Sequence, residues 1–206
     1  MRVNNGGVAI IGILGLIGLG AGCNGQKINS SEAELVMQSQ IMMVGELYRT
    51  VYDAITGVNV PDGLVVDGAT VSGTLSGGDA WTGEVALDGA ASVDGDDGIA
   101  AFDLALDYTQ VTVSSVGVTM DGASGAAMDA TLDLDAGVFA YNFQTSGDLV
   151  VSGEARGEST FDFTVAVGVD TQSGAYSFDV SGDVSGFDAS EFSVANLAIW
   201  VANLYL

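Results

Sequence analysis

Between positions 31 and 56, apolar side chains recur at alternating spacings of four and three residues, which is the period of a helix with one buried face. Ser31 with Glu34 three residues later matches a capping box, while Gly57 and the turn residues Pro61-Asp62-Gly63 end the pattern. The sequence therefore predicts an amphipathic helix over residues 31–56. Its apolar face consists of Met37, Ile41, Val44, Tyr48, Val51 and Ile55, widened by Met43 and Leu47.

From Leu64 onward the period changes to two. Large apolar residues alternate with aspartate or small polar residues in the segments 102–108, 128–135, 161–165 and 176–180. This alternation is typical of strands with one apolar face and one solvated, acidic face. Six dipeptides predict the turns between the strands: Asp67-Gly68, Asp88-Gly89, Asp121-Gly122, Ser146-Gly147, Ser173-Gly174 and Ser185-Gly186.

The expected fold is mainly β: an antiparallel meander of about nine or ten strands. Its apolar face must be buried, so the sheet should curl into a barrel or half-barrel, or fold into a sandwich. The helix 31–56 carries a matching apolar face and should pack on the sheet. Residues 192–206 stay open between a strand and a helix. The aromatic residues expected inside are Phe102, Tyr108, Phe139, Tyr141, Phe143, Phe161, Phe163 and Phe178.

The charge of the chain is strongly negative. Its 206 residues include 27 acidic and 4 basic side chains, for a formal net charge of −23. Beyond residue 23 the basic side chains are Lys27, Arg49 and Arg156. Because binding to phosphate backbones depends on clustered Lys and Arg, nucleic acid is excluded as a partner.

Several catalytic chemistries lack the residues they need. The chain has no histidine and one cysteine, which excludes Ser-His-Asp and Cys-His catalysis, histidine–zinc sites and an internal disulfide. No phosphate-binding or dinucleotide motif occurs. We therefore expect no enzyme activity and no cofactor.

The first 23 residues have the pattern of an export signal. Arg2 and the amino terminus form a short positive region, and the stretch from Val8 to Gly22 is uncharged and ends in small residues. This stretch is shorter than the roughly 20 apolar residues that a membrane-spanning helix requires. Cys23, the single cysteine, lies where the signal ends.

The run Leu19-Gly20-Ala21-Gly22-Cys23 resembles the lipobox of bacterial lipoproteins, although Gly20 stands where that family prefers leucine. The resemblance implies that the signal, residues 1–22, is cleaved and that Cys23 carries the lipid, including palmitate. Asn24 after the cysteine implies the outer membrane of the cell envelope. Ordinary signal cleavage near Ala21 and Gly22, leaving a free cysteine, is the alternative.

The mature chain should then begin with a lipidated cysteine and polar tether, residues 23–30, followed by a single domain, residues 31–206. From Asn24 to Ser30 the tether would reach about 25 Å when extended. The folded domain is thus expected to lie close to the membrane.

A weak calcium candidate lies in the acidic run Asp94, Asp96 and Asp97, because carboxylate oxygens are the ligands that calcium prefers. The run lacks the spacing of a helix-loop-helix calcium site, so a solvated hairpin loop is the simpler interpretation. No other metal site is indicated.

Other candidates have simpler structural explanations. Aspartates at alternate strand positions, such as Asp103/Asp107 and Asp133/Asp135, resemble a hydrolase acid pair but also describe an exposed sheet face. Trp81 fits a binding anchor or a residue buried at the rim of the sheet. The helix positions Met37, Met42, Met43, Tyr48 and Tyr52 fit either a pocket for an apolar ligand or a core helix.

The sequence thus predicts a lipid-anchored protein of the bacterial envelope with a non-enzymatic structural or interaction role. Its expected partners are the membrane, through the anchor, and an envelope protein of unknown identity. The alternative is a carrier or sensor that holds a lipid or another apolar ligand between the helix and a curved sheet.

Overall fold

The computed structural model describes residues 26–78, 80–94, 99–133, 137–170 and 172–193. One helix, α1, is followed by nine strands and a short 3-10 helix, Ala189–Glu191. The elements in chain order are α1 Ser30–Ile55, β1 Leu64–Asp67, β2 Thr70–Ser76, β3 Trp81–Asp94, β4 Ile99–Val113, β5 Val118–Asp133, β6 Val138–Gly153, β7 Gly157–Asp170, β8 Tyr176–Val184 and β9 Phe187–Asp188.

The nine strands form one antiparallel sheet in the order of the sequence, from β1 to β9. Every strand pairs with the next along the chain, for example Leu106 with Ser124 and Phe143 with Val165. The sheet is open, with β1 and β9 at its edges among the described residues. The predicted meander of nine or ten strands with one packed helix is confirmed.

The N-cap residue of α1 is Asn29, two residues before the predicted cap Ser31. The side chain of Asn29 accepts a hydrogen bond from the Glu32 backbone N–H, and the Glu32 carboxylate accepts one from the Asn29 N–H, at 3.1 and 2.8 Å. The predicted capping box of Ser31 and Glu34 is therefore wrong. Both pairs have the required spacing, and Glu34 instead accepts a hydrogen bond from Gln38 in the next turn.

The helix and the sheet share one hydrophobic core. All predicted face residues of α1 from Met37 to Val51 are buried in it, and Ile55 packs against it half-buried. The predicted inner aromatics are buried as well, except Phe139 and Phe178, which are partly buried at the rim. Trp81, the first residue of β3, is also buried.

The sheet curves around the helix. Helix α1 contacts β3, β4, β5 and also β8. In a flat sheet β3 and β8 would lie about 24 Å apart, since neighbouring strands are roughly 4.8 Å apart. A helix is only about 10–12 Å in diameter, so strands on both sides can touch it only if the sheet wraps around it.

Three of the six predicted turns are wrong, because their glycines lie inside long strands. Gly89, Gly122 and Gly147 belong to β3, β5 and β6, at positions that face the inside of the sheet. The three remaining turn predictions are confirmed: they join β1 to β2, β7 to β8 and β8 to β9.

Close backbone contact across strands explains why glycine stands at these inner positions. A Cβ atom at Gly89 would lie 2.1 Å from the carbonyl oxygen of Asp103, and one at Gly147 would lie 2.4 Å from that of Ala123. Glycine inside a strand permits this approach and thereby allows a sheet to bend sharply. These inner glycines therefore mark places where the sheet can bend.

A bulge bends the sheet at a further point. The pairing of β4 shifts between Tyr108 and Val111, and Gln110 adopts a positive φ of 50°. The Asp121 carboxylate accepts hydrogen bonds from the backbone and side-chain N–H groups of Gln110. Asp121, predicted as a turn residue, thus stabilises a β-bulge, a device that increases local strand bending.

We predict that Gly89→Ala lowers the free energy of unfolding by at least about 2 kcal/mol, because the added methyl group would overlap the β4 backbone. Gly125→Ala is the matched control, since that glycine lies in β5 with nothing within 4 Å of an added Cβ atom. The control should change stability by less than about 1 kcal/mol. Equal effects in urea denaturation would contradict the close-approach explanation.

Candidate functional site

The most distinctive polar arrangement among the described residues is a buried network between α1 and the sheet. Gln40 is fully buried in the middle of α1. Its Nε2 lies 3.1 Å from the sulfur of Met120, and its Oε1 accepts a hydrogen bond from the Tyr108 hydroxyl at 3.2 Å. Ser124 donates to the same hydroxyl at 3.1 Å. The network therefore joins the helix to β4 and β5.

The secondary structure places these side chains at one level of the core. Tyr108 and Ser124 lie on the inner faces of adjacent strands, two residues apart in register because Tyr108 pairs with Gly122. A Cβ atom at that glycine would lie 2.5 Å from the Asp148 carbonyl oxygen, so β5 and β6 are in close backbone contact beside the network. Among the described residues, no buried side-chain polar atom lacks a hydrogen-bond partner.

Burial controls the protonation of the network. Desolvation raises the pKa of Tyr108 to about 12, against smaller opposing contributions from its hydrogen bonds with Ser124 and Gln40. The phenol is therefore neutral at physiological pH and acts as both donor and acceptor. The network contains no ionised group, so its chemistry is that of positioning the helix on the sheet and not of proton transfer.

Sequence reasoning missed this network, although the sequence contains a signal for it. Gln40 lies four residues from both Val36 and Val44, so it is a polar residue within the apolar face of the helix. A polar side chain at a core position requires a partner in the facing element. The identity of that partner depends on the helix–sheet register, which the pattern of α1 alone does not contain.

Aromatic rings fill the inner surface on either side of the network. Tyr48 of α1 lies against Phe102 with ring centroids 5.5 Å apart. Across β6 and β7, Phe143 and Phe163 meet edge to face at 6.4 Å, and Tyr141 is stacked on Phe143 at 6.5 Å. Burial raises the pKa of both Tyr48, to about 12, and Tyr141.

The outer face carries a shallow acidic groove of about 410 Å³ over β6, β7 and β8. Asp162 pairs directly with Asp183 on the next strand and with Ser146 on the other side. Asp162 accepts a hydrogen bond from Gln144, and Asp183 accepts one from the Gly186 N–H. We call this surface the outer groove; it is lined by Ser146, Gly147, Asp148, Thr160, Phe161, Asp162 and Asp183.

Most of the predicted site residues lie outside the part of the chain that the structure describes. Cys23, Asp96, Asp97 and Asp135 lie outside the described residues, while Asp94 is the exposed last residue of β3. No group of three or more acidic or cysteine side chains in the described part of the chain is arranged to hold a metal ion.

Of the aspartates considered as acid pairs, Asp103, Asp107 and Asp133 are described, and they lie on the outer face. Asp103 and Asp107 are four residues apart on β4, which corresponds to about 13 Å along a strand. This exceeds the roughly 5–9.5 Å between the carboxylates of glycoside hydrolases. Asp133 is exposed at the end of β5.

In comparisons with known proteins, no family model, no curated protein and no solved structure matches this chain. The function of the chain is therefore inferred from its sequence and from the geometry of the described residues.

Within the described residues, no helix has the length and apolar character needed to cross a membrane.

We predict that the free energy of unfolding falls as the pH rises from about 10 to about 12. The pKa of Tyr108 is about 12 in the folded protein, against an ordinary value of 10.0. The stabilisation linked to this raised pKa is therefore complete below pH 10 and is lost as the pH rises through 12. This difference corresponds to about 3 kcal/mol.

The test compares the parent with Tyr108→Phe by urea denaturation at pH 7, 9 and about 11. At pH 7 the variant should lose about 1–3 kcal/mol, because Gln40 and Ser124 lose their shared partner. Its stability should also fall less steeply at alkaline pH. The same alkaline slope in both proteins would mean that ionisation of Tyr108 is not linked to unfolding.

Proposed function

We propose that this protein is a lipid-anchored component of the bacterial cell envelope with a non-enzymatic structural or interaction role. The observation that carries the proposal is the amino terminus: Arg2, the uncharged stretch from Val8 to Gly22, and then Cys23, the single cysteine of the chain. Asn24 after that cysteine favours the outer membrane, following the resemblance to bacterial lipoproteins.

The chemistry of the interior supports a role without catalysis. The chain has no histidine, and the buried Gln40, Tyr108 and Ser124 bond to one another without an ionised partner. Enzymes commonly place groups with pKa values near the working pH in their sites, whereas burial moves the pKa of Tyr108 away from that range.

Contacts between α1 and the sheet favour a structural or interaction role over a carrier. A carrier of apolar ligands needs a cavity of about 300–1,000 Å³ for its ligand. At the centre of α1, Gln40 contacts Met120 and Tyr108, and towards the helix end Tyr48 contacts Phe102. Side chains thus occupy the space between helix and sheet at these positions.

The outer face supports interaction by charge. Aspartates occupy alternate positions on the outer side of the long strands, including Asp103 and Asp107 of β4, and Asp162 of β7 facing Asp183 of β8. Such a field attracts a partner that presents clustered Lys or Arg and speeds their encounter. It also hinders association between copies of the chain, because like charges repel.

Cys23→Ser is expected to abolish incorporation of labelled palmitate and to leave the signal uncleaved by the lipoprotein peptidase, because the modified thiol is missing. The measurement is metabolic labelling followed by mass spectrometry of the amino-terminal peptide. Gly25→Ser, which keeps Cys23, is the matched control and should be labelled like the parent. Unchanged labelling of Cys23→Ser would refute the lipid anchor.

A further inference from the structure

The first described residues of the chain are bound to the sheet. Lys27 forms a parallel bridge with Glu158, and the Gln26 carbonyl accepts a hydrogen bond from the Glu158 backbone N–H at 3.2 Å. Ile28 follows in the hydrophobic core with 3% of its surface exposed. Residues 26–28, predicted as part of a polar tether, therefore lie against the start of β7.

The start of β7 is shaped to receive this segment. Gly157 has a φ of +144°, and a Cβ atom there would lie 2.1 Å from the Gln26 carbonyl oxygen. Only glycine allows this approach without moving one of the two backbones. After this segment, the Glu32 carboxylate accepts a hydrogen bond from the Arg156 backbone N–H at 3.3 Å. The start of α1 is thus also bound to the turn that precedes β7.

The attachment leaves a short path to Cys23. Two residues, Asn24 and Gly25, separate Cys23 from Gln26, and the three steps between consecutive Cα atoms span at most about 11 Å at 3.3–3.6 Å per residue. This is less than half of the roughly 25 Å reach expected for a free tether. An anchor on Cys23 would therefore hold one particular part of the domain against the lipid headgroups.

We propose that one end of the domain, which we call the anchor end, faces the membrane. The anchor end consists of the turns 114–117, 154–156 and 185–186 together with Lys27. This inference rests on the lipid anchor proposed above. The three turns lie at the same end of the sheet: Val113 pairs with Val118 and Val118 with Gly153, and the Ser185 N–H donates a hydrogen bond to the Thr160 carbonyl near the start of β7. The partner of this surface is the phospholipid bilayer that would hold the acyl chains of Cys23.

Charge favours the same orientation. Two of the three basic side chains beyond the signal, Lys27 and Arg156, lie at the anchor end, where they partly offset the charges of Glu32, Glu154 and Glu158. The turn 114–117 is uncharged. The turns at the opposite end are flanked by acidic residues, including Asp67, Asp133 and Asp170. Anionic headgroups repel that acidic end more strongly, and the effect acts within a Debye length of about 8–10 Å.

The orientation presents the opposite end to the envelope space. Strands of about 15 residues are roughly 50 Å long, so this end projects well beyond the headgroups. It carries three exposed apolar side chains at strand ends, Ile99, Val138 and Tyr176, the last with 63% of its surface exposed. These residues and the acidic outer face would therefore be accessible to an envelope partner, whereas the anchor end would face the bilayer.

Energy transfer to the membrane surface tests the orientation with the full-length, acylated protein. Ser114→Cys and Ala69→Cys place a labelling site at the anchor end and at the β1–β2 turn of the opposite end; both native side chains are exposed. Cys23 is blocked when acylated, so a maleimide dye reacts with the introduced thiol. Each labelled protein is reconstituted in vesicles of phosphatidylethanolamine and phosphatidylglycerol that contain an acceptor dye on the headgroups.

Transfer from position 114 should exceed that from position 69 on the order of threefold, since Ser114 is bonded to Ala80 and Ala69 to Ala91, which places the two positions roughly 35 Å apart along β3. If the protein floats with the vesicles, equal or greater energy transfer from position 69 than from position 114 would contradict the proposed orientation but not the lipid anchor. If the acylation-competent protein does not float with the vesicles, both the lipid anchor and the orientation that depends on it are wrong.

A second variant tests the role of the bound segment. Gly157→Ala should release residues 26–28 from β7, lengthen the free tether and reduce the difference in transfer between positions 114 and 69 by at least about half. Gly174→Ala is the matched control, because that glycine also has a positive φ but has nothing within 4 Å of an added Cβ atom. Equal effects of the two substitutions would overturn the claim that this contact orients the domain.

Discussion

The apolar face of one helix against the concave side of one open sheet is the interaction on which the rest of this molecule depends. A nine-stranded meander with alternating side chains has a single apolar face, and within the described part of the chain the sheet does not close on itself to bury that face. Helix α1 supplies the cover: Val36, Met37, Ile41, Val44 and Leu47 are almost completely buried against it. Each such side chain contributes about 1.5–3 kcal/mol when buried. Ile28, Ala189 and Phe192 add smaller contributions to the same core.

The curvature that lets the sheet wrap around the helix depends on inner-face positions that have no side chain. Gly89 and Gly147 bring adjacent strands into backbone contact, and the bulge at Gln110 bends β4 next to Tyr108. The curved wall then places Tyr108 where Gln40 can reach it. At the end where the helix begins, Gly157 admits the chain that leads back to Cys23. Close backbone contact at a glycine therefore occurs both where the sheet curves around α1 and where residues 26–28 bind to β7. The second contact determines which end of the sheet lies nearest the proposed anchor.

Period and alternation were sufficient to predict the helix, the number of strands and their meander order, because these features depend on local sequence. The Asp-Gly and Ser-Gly dipeptides were ambiguous: Asp67-Gly68 forms a turn, whereas Asp88-Gly89 continues a strand of 14 residues. The difference depends on the neighbouring strand, whose carbonyl oxygen approaches Gly89 from a residue far along the chain. The Gln40–Tyr108 pair and the contact of Gln26 with Glu158 are likewise long-range. Cys23 and most of the run from Asp94 to Asp97 lie outside the described residues, so the anchor and the calcium loop stay predictions.

Native-state hydrogen exchange of the intact domain tests the docking of the helix most directly. If α1 is the cover on which the sheet depends, the amides of Ile41, Val44 and Leu47 should exchange only through global unfolding, with the same free energy as the slowest amides of β4 and β5. Added urea should lower both sets of values with the same slope. Exchange of the α1 amides through a separate opening, several kcal/mol below the global value and with a smaller slope while β4 and β5 stay protected, would contradict this account.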